Sequence, residues 1–352
     1  MSRHTGKVKY RKVSSSTLYH CLLIMASLLD DVRSRITVDC DTLDSSVAQS
    51  LGPFVDCTSN QAILAAELSN PRHDHLITKS IQQAKELHQT FNDVSIPELA
   101  TDIMTINLHA GTIPHLTGRI HIQTDPYHSY STAKTVSHAQ RIIRLAAHLH
   151  PSLKDRICIK IPSTWEGLLA CQHLETTGIR TLATTLFTIE QAALAAHVKC
   201  TYIAPYVNDL KVHFIKDYLD PDPGFDLTHA AKLYFSRIGA DTKVMPASLT
   251  SVDEIIRLIG KADHITIAPH LLRELAAKPA GSLPTPEVKV SAEVQPLADG
   301  EYCSVVQDEI AFRMAMTRSK EGRNEKKLVD AINIFCEAQD RLVAKVEKRL
   351  HA

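Results

Sequence analysis

A lysine set inside an apolar strand just ahead of a turn can act as a nucleophile. The segment Arg156-Ile157-Cys158-Ile159-Lys160-Ile161-Pro162-Ser163-Thr164-Trp165-Glu166-Gly167 has that form. Isoleucines on either side strip water from the ammonium group, and desolvation disfavours its charged form, so the pKa of Lys160 should fall. An amine that is partly neutral near pH 7 adds to a carbonyl carbon and forms a Schiff base. The competing reading places Lys160 on a solvated strand end.

Such a lysine needs partners, so the elements that would bring them matter next. β-rich segments occur near Ile36–Cys40, Val55–Thr58, Arg119–Gln123, Ile157–Ile161, Thr181–Thr185, Thr201–Ala204, Lys243–Ala247 and His264–Ile267. Between them, segments such as Lys134–His150, Trp165–Thr177, Ile189–Val198 and Val252–Gly260 carry apolar residues at helical spacing. Eight β/α repeats without a GxGxxG after the first strand predict an α/β fold, a closed (β/α)8 TIM barrel rather than a dinucleotide-binding sheet. An extra N-terminal helix and a long C-terminal helix are expected around it. Active sites of such barrels lie at the C-terminal ends of the strands. The polar residues there are Asp39, Asp41 and Thr42, then Thr58, Ser59 and Asn60, then Gln123, Lys160, Thr184, Tyr206 and Ser248.

Composition narrows the classes. Lysine plus arginine and aspartate plus glutamate both number 39, which gives no general attraction for nucleic acid or an anionic membrane. Eight cysteines without a CxxC pair, several in apolar runs, predict buried thiols in a reducing, cytoplasmic compartment. The apolar run Cys21–Leu29 is too short to span a bilayer. Residues 1–29 lack acidic side chains, which is compatible with a transit peptide. The favoured reading is a disordered basic extension over residues 1–20, followed by a single domain over 21–352. Ala280–Asp299 reads as an extended Pro- and Val-rich excursion. Leu328, Ile332, Phe335, Leu342, Val346 and Leu350 predict a C-terminal helix packed on the barrel or over its mouth, with Arg318–Lys327 as a solvated loop or helix face. His73-Asp74-His75 is the compact ligand-like cluster in the sequence, but neighbours on a helix do not share a face, so no metal site is expected. No cofactor is expected either.

Five motifs carry a family resemblance: Val38-Asp39-Cys40-Asp41-Thr42-Leu43-Asp44, Cys57-Thr58-Ser59-Asn60-Gln61-Ala62-Ile63-Leu64, Ile159-Lys160-Ile161-Pro162-Ser163-Thr164-Trp165-Glu166-Gly167, Ile203-Ala204-Pro205-Tyr206-Val207-Asn208 and Ile265-Thr266-Ile267-Ala268-Pro269. In this order and spacing, from about Leu28 to Leu275, the chain resembles class I, Schiff-base-forming transaldolases. The resemblance implies that Lys160 is the nucleophile and Asp41 the acid/base that moves the hydroxyl proton. It implies that Asn60 binds donor hydroxyls, that Thr184 holds a proton-shuttling water, and that Ser248 and Tyr206 line the pocket. It also implies a small-molecule carbonyl substrate and a homodimer. Competing readings remain for three of them: Asp41 as a helix cap, Asn60 as a turn residue and Thr184 as packing.

Departures from the family pattern bear on the substrate. The glutamate expected on strand three is Gln123, as in fructose-6-phosphate aldolases. The phosphate-gripping arginine after strand six is replaced by Asp209, and the cation after strand seven by Thr250. Loss of two charge-assisted contacts at about 1.5–3 kcal/mol each would weaken binding of sugar phosphates by orders of magnitude. Lys211, His213 and Lys216 are the candidate substitutes. The leading expectation is a Schiff-base enzyme of altered, non-phosphate specificity, consistent with specialised metabolism. The alternatives are an ordinary pentose-phosphate-pathway transaldolase and a catalytically silent binding barrel.

Overall fold

The computed structural model describes residues 27–281 and 302–351. Eight strands alternate with helices along the chain: β1 (Thr37–Asp41), β2 (Cys57–Thr58), β3 (Ile120–Gln123), β4 (Ile157–Pro162), β5 (Arg180–Leu186), β6 (Tyr202–Pro205), β7 (Lys243–Val244) and β8 (His264–Ile267). All pairings are parallel, in the order β7-β6-β5-β4-β3-β2-β1-β8. The remaining gap between β7 and β8 is bridged where Asp263 N donates to Val244 O at 3.0 Å and Thr266 N donates to Pro246 O at 3.3 Å. The architecture is therefore a (β/α)8 barrel. Both faces of its strands are covered, which is why β3 and β4 are buried at every residue.

Strand ends differ from the pattern-based bounds in informative ways. β1 reaches one residue further, so Asp41 sits on the strand itself and not in the following loop. β7 stops at Val244 rather than Ala247, because Pro246 has no N–H to offer a ladder. The predicted helices occur at Thr132–Leu149, Trp165–Thr176, Ile189–His197 and Val252–Leu258. Strand-to-helix turns are set by side-chain caps: Asp44 accepts from Ser46 N, Thr164 from Gly167 N and Ser251 from Glu254 N.

The extra N-terminal helix, Leu28–Arg33, buries Leu28, Leu29 and Val32 and is tied down where Leu28 N donates to Lys278 O at 2.8 Å. The expected long C-terminal helix is present at Arg323–Leu350, preceded by shorter helices at Cys303–Gln307 and Glu309–Arg318 and by a turn with left-handed Lys320, Glu321 and Gly322. Much of the Arg318–Lys327 run is exposed as expected, with Arg318, Lys320, Glu321, Arg323 and Lys326 in solvent, but two residues depart from that expectation. Asn324 and Lys327 are buried, and Lys327 Nζ donates to Asp220 Oδ2 and to Asp222 O, both at 2.8 Å. The long helix crosses the C-terminal end of the barrel, with Tyr127 Oη on Asp340 at 2.9 Å, Lys211 Nζ on Asp330 at 2.9 Å and Phe335 wholly buried. The expected basic extension lies outside the described residues, as does the Ala280–Asp299 excursion beyond Gly281. Among the described residues no helix is long and apolar enough to cross a membrane.

Candidate active site

Inward-facing residues alternate along each strand, and at the C-terminal end of the barrel they line a cavity of about 420 Å3. Lys160 projects from β4 into its floor with 2 % of its surface exposed. Burial lowers the lysine pKa, while the Asp41 carboxylate on β1 opposes that fall.

Asp41 is held from a neighbouring strand. Thr58 Oγ1 on β2 donates to Asp41 Oδ1 at 2.6 Å, and Thr58 Oγ1 lies 2.6 Å from Thr266 Oγ1 on β8. Thr58 has one hydroxyl proton, committed to the carboxylate, so Thr266 supplies the proton of the second bond. The cap of the following helix is Asp44 and not Asp41, which leaves a carboxylate oxygen of Asp41 free to face the cavity. Asn60 both lines the cavity and caps its helix, accepting from Ile63 N at 3.0 Å. That bond fixes the carbonyl end of the amide and turns its Nδ2 away from the helix.

Between Lys160 on β4 and Thr58 on β2, Gln123 on β3 is paired with the lysine in the β3–β4 register. Gln123 Nε2 donates to Gln61 Oε1 at 2.7 Å, and Gln61 Nε2 in turn donates to Thr124 O at 3.0 Å. The Gln123 Oε1 atom is buried with no protein partner, an acceptor of the kind a bound water satisfies. Thr184 on β5 is fully buried, and its Oγ1 donates to Tyr206 Oη at 3.4 Å. Burial raises the Tyr206 phenol pKa well above the usual tyrosine range, so the group stays protonated. The end of β5 is held by Ser163, whose N and Oγ both donate to Thr184 O, and by a left-handed Thr185 (φ 51°). A β-branched residue tolerates that conformation only where its surroundings enforce it.

Asp209 and Thr250 lie outside the residues that line the cavity. Asp209 is buried in its own turn, accepting from Lys211 N at 3.0 Å and from Tyr218 Oη at 3.1 Å, with Lys211 Nζ 3.0 Å from its carboxylate. Its charge is thus neutralised locally and stands away from the cavity, so Asp209 does not line a substrate site as expected from sequence. Thr250 is exposed, with its N–H on Glu254 Oε2 at 2.6 Å. Of the candidate substitute cations, Lys211 is engaged by Asp209 and Asp330. His213 lines the cavity mouth with Nε2 3.0 Å from Ser248 Oγ. The protein crowding its ring holds the His213 pKa below the usual histidine value. Among the described lining residues, Lys160 and His213 are the nitrogen bases, and Glu67 and Asp41 the acids.

Sequence reasoning passed over Thr266, Gln61, Leu210, Phe214 and Phe335. Thr266 was findable from parity, since it pairs in register with Asp39. Phe335 was not, because its place over the cavity depends on how the C-terminal helix crosses the barrel. A second buried layer at the barrel base was also missed. Asp39 accepts from Asp56 N at 2.7 Å and sits 2.8 Å from His264 Nδ1; Asp56 accepts from Arg119 N at 2.5 Å and sits 3.0 Å from His121 Nε2. Burial raises Asp39 to about 6 against the opposing pull of His264. Asp39, Asp56 and His264 lie close enough to resemble a metal ligand set. The carboxylate oxygens are already committed to backbone N–H groups and to ring nitrogens within the layer, His264 Nδ1 among them, while His121 Nδ1 is left buried without a partner. His73 bonds Glu67 at 2.5 Å and joins no ligand cluster among the described residues.

Comparison with known proteins follows from this geometry. The family model described as Transaldolase/Fructose-6-phosphate aldolase matches residues 37–346. A protein named Transaldolase from Prochlorococcus marinus is 31% identical over 335 residues, spanning 92% of this chain and 96% of its own. Proteins of the same name from Alteromonas mediterranea and Acidobacterium capsulatum are 33% and 32% identical, over 93% and 92% of this chain and 100% and 96% of their own.

Proposed function

The chain belongs to the transaldolase/fructose-6-phosphate aldolase family and is an enzyme of that type, and from this premise we propose that Lys160 forms a Schiff base with a ketone or ketose donor. The observation that supports this reading is the burial of Lys160 at the floor of a cavity that Asp41 also lines.

Lys160 Nζ adds to the donor carbonyl and water leaves, giving a protonated imine that withdraws electrons from the adjoining carbon–carbon bond. Asp41 takes the proton of the hydroxyl on the far carbon, that bond breaks, and an aldehyde departs. The enamine left on Lys160 then either adds to a second aldehyde or is protonated, and water hydrolyses the imine. Asp41 suits the proton transfer because the Thr266–Thr58 chain fixes it while leaving an oxygen toward the cavity. Tyr206 lines the cavity beside Lys160; Gln123, paired with Lys160 in register, and Thr184, bonded to Tyr206, are the groups proposed to hold the departing water. Asn60 and Ser248 offer amide and hydroxyl groups to donor hydroxyls.

Phosphate recognition is altered in this reading. The positions after β6 and β7 carry Asp209 and Thr250, and Lys211 is spent on two carboxylates. A second reading, an ordinary pentose-phosphate transaldolase, is favoured by the similarity over nearly the whole chain to proteins named Transaldolase.

Incubation with dihydroxyacetone or fructose 6-phosphate, reduction with borohydride and peptide mapping by mass spectrometry tests the covalent step. A reduced adduct on Lys160 is expected. Absence of an adduct with every donor overturns the Schiff base, and efficient transfer from fructose 6-phosphate to a phosphorylated aldose selects the second reading.

A further inference from the structure

His213 lines the cavity, and no step of the Schiff-base chemistry uses it. It ends the short turn Leu210–His213 after β6, and its Nε2 stands 3.0 Å from Ser248 Oγ. Ser248 is itself held in place. Its backbone is left-handed at φ 60°, and its carbonyl accepts from Asn208 Nδ2 at 2.9 Å. Asn208 Nδ2 also donates to Glu254 Oε1 at 3.0 Å. A residue with a side chain keeps a left-handed conformation only where its surroundings enforce it. The His213–Ser248 pair is therefore a fixed piece of the wall.

The described lining residues include no arginine, and their nitrogen bases are Lys160 and His213. Lys160 is committed to the substrate carbonyl, which leaves His213 as the cation that the wall can offer an anion. Off the wall, Arg72 is held by Asp44 and Glu67, Lys211 by Asp209 and Asp330, and Lys216 is exposed further along the β6 loop. An imidazole, unlike a guanidinium, gains and loses its charge between about pH 5 and 8. Protein packed around the ring lowers the His213 pKa, Asp41 on β1 raises it, His270 on the helix Pro269–Ala277 lowers it, and Glu254 on the helix Val252–Leu258 raises it. Glu67 on the helix Gln61–Glu67 faces the same cavity, paired with Arg72 and His73. In the imidazolium both ring nitrogens donate, so Nε2–H donates to Ser248 Oγ and the serine proton turns outward to a bound anion.

Resting on the Schiff-base reading above, we infer that His213 determines whether this enzyme accepts an anionic substrate: its imidazolium, with the Ser248 hydroxyl, pairs with an anionic group on the molecule held at Lys160. The neutral imidazole leaves that group without a paired charge, which is costly in a partly desolvated cavity. The enzyme thus reads a phosphate-class anion through a titratable ring, and its preference for charged over uncharged substrates follows pH.

The test uses the full chain and sulfate, which stays a dianion across the range, at constant ionic strength. The His213 ring signal in the NMR spectrum of nitrogen-15-labelled histidine is assigned by its loss in His213→Gln. Sulfate should raise the pH at which that signal titrates, and should bind about tenfold tighter at pH 5.5 than at pH 8. His213→Gln should bind sulfate weakly and equally at both, and His213→Arg tightly and equally at both; Lys216→Ala should keep the parent's pH dependence. In turnover, KM for fructose 6-phosphate should rise from pH 7 to pH 8, against the second ionisation of the phosphate, which favours binding as pH rises. Borohydride trapping of dihydroxyacetone on Lys160 is followed in parallel, so failure of the covalent step is seen separately. Flat sulfate binding in the parent, a pH dependence that survives in His213→Gln or vanishes in Lys216→Ala, or a KM that is flat or falls overturns the inference, and a trapped adduct then leaves the Schiff base standing. Absence of an adduct beside pH-linked sulfate binding overturns the Schiff base and keeps His213 as the partner of the anion.

Discussion

At the residue scale the central fact is a balance at Lys160. Burial pushes its pKa down and the Asp41 carboxylate pulls it back. The unfolded chain therefore binds a proton more tightly than the native one. Between the lowered native value and the usual lysine value, native stability rises with pH. Lys160→Met should abolish the borohydride adduct and flatten that rise, as measured by urea unfolding at pH values on either side of the window. At neutral pH the variant should be as stable as the parent or more so by about 1–2 kcal/mol, since a methionine fills the site without a desolvated charge. Gln123 makes a second residue-scale case. Its Nε2 donates to Gln61 Oε1, and a carboxylate in its place has no proton to donate. Gln123→Glu should lower the unfolding free energy at pH 7 by about 1–3 kcal/mol. Burial would raise the pKa of the new carboxyl, so the deficit should shrink as pH falls and its proton returns.

At the scale of elements, the turn from β4 into the helix Trp165–Thr176 places the lysine. Thr164 caps that helix through Gly167 N at 2.9 Å and also donates to Ser129 O. The chain doubles back so tightly that a Cβ on Gly167 would stand 2.1 Å from Pro162 O, a backbone atom at the end of β4. Gly167→Ala should cost about 1–3 kcal/mol in thermal or urea unfolding, and should slow adduct formation because the strand end must shift. The glycine of the Trp-Glu-Gly sequence thus has a steric reason. Outside the barrel, Asp102 shows how an element pair is pinned: burial pushes its pKa up, but His138 and Arg141 outweigh it and hold the carboxyl below its usual value. That joins the helix Ile96–Thr112 to Thr132–Leu149 and fixes the two helices beside β3.

At the scale of the molecule, the C-terminal helix is part of the site. It brings Phe335 to the cavity and locks to the β6 loop through Lys211–Asp330 and Lys327–Asp220. The Lys327–Asp220 pair is buried, so removing one partner strands the other in a low-dielectric place. Lys327→Ala should destabilise the protein by about 2–4 kcal/mol in urea unfolding. It should also raise KM for the acceptor, because the β6 loop carrying Leu210 and Phe214 loses its anchor.

Local pattern was enough for much of this. Eight β-rich segments alternating with stretches of helical spacing pointed to a barrel, and isoleucines on both sides of Lys160 pointed to its desolvation, because both readings draw on neighbours in the chain. Position at or just after the C-terminal ends of the strands grouped Asp41, Asn60, Lys160, Tyr206 and Ser248 at one mouth, and all five line one cavity. What the chain could not show locally was where long-range contacts send charges. Asp209 reads as an anion at a phosphate position, yet it is neutralised by Lys211; Lys327 reads as solvated, yet it is buried on Asp220. The second outcome turns on side chains that meet across 107 residues; the first turns on how the chain bends over the two residues from Asp209 to Lys211. Phe335 likewise joins Lys160, Leu210 and Phe214 in lining the cavity only once the last helix has crossed the barrel.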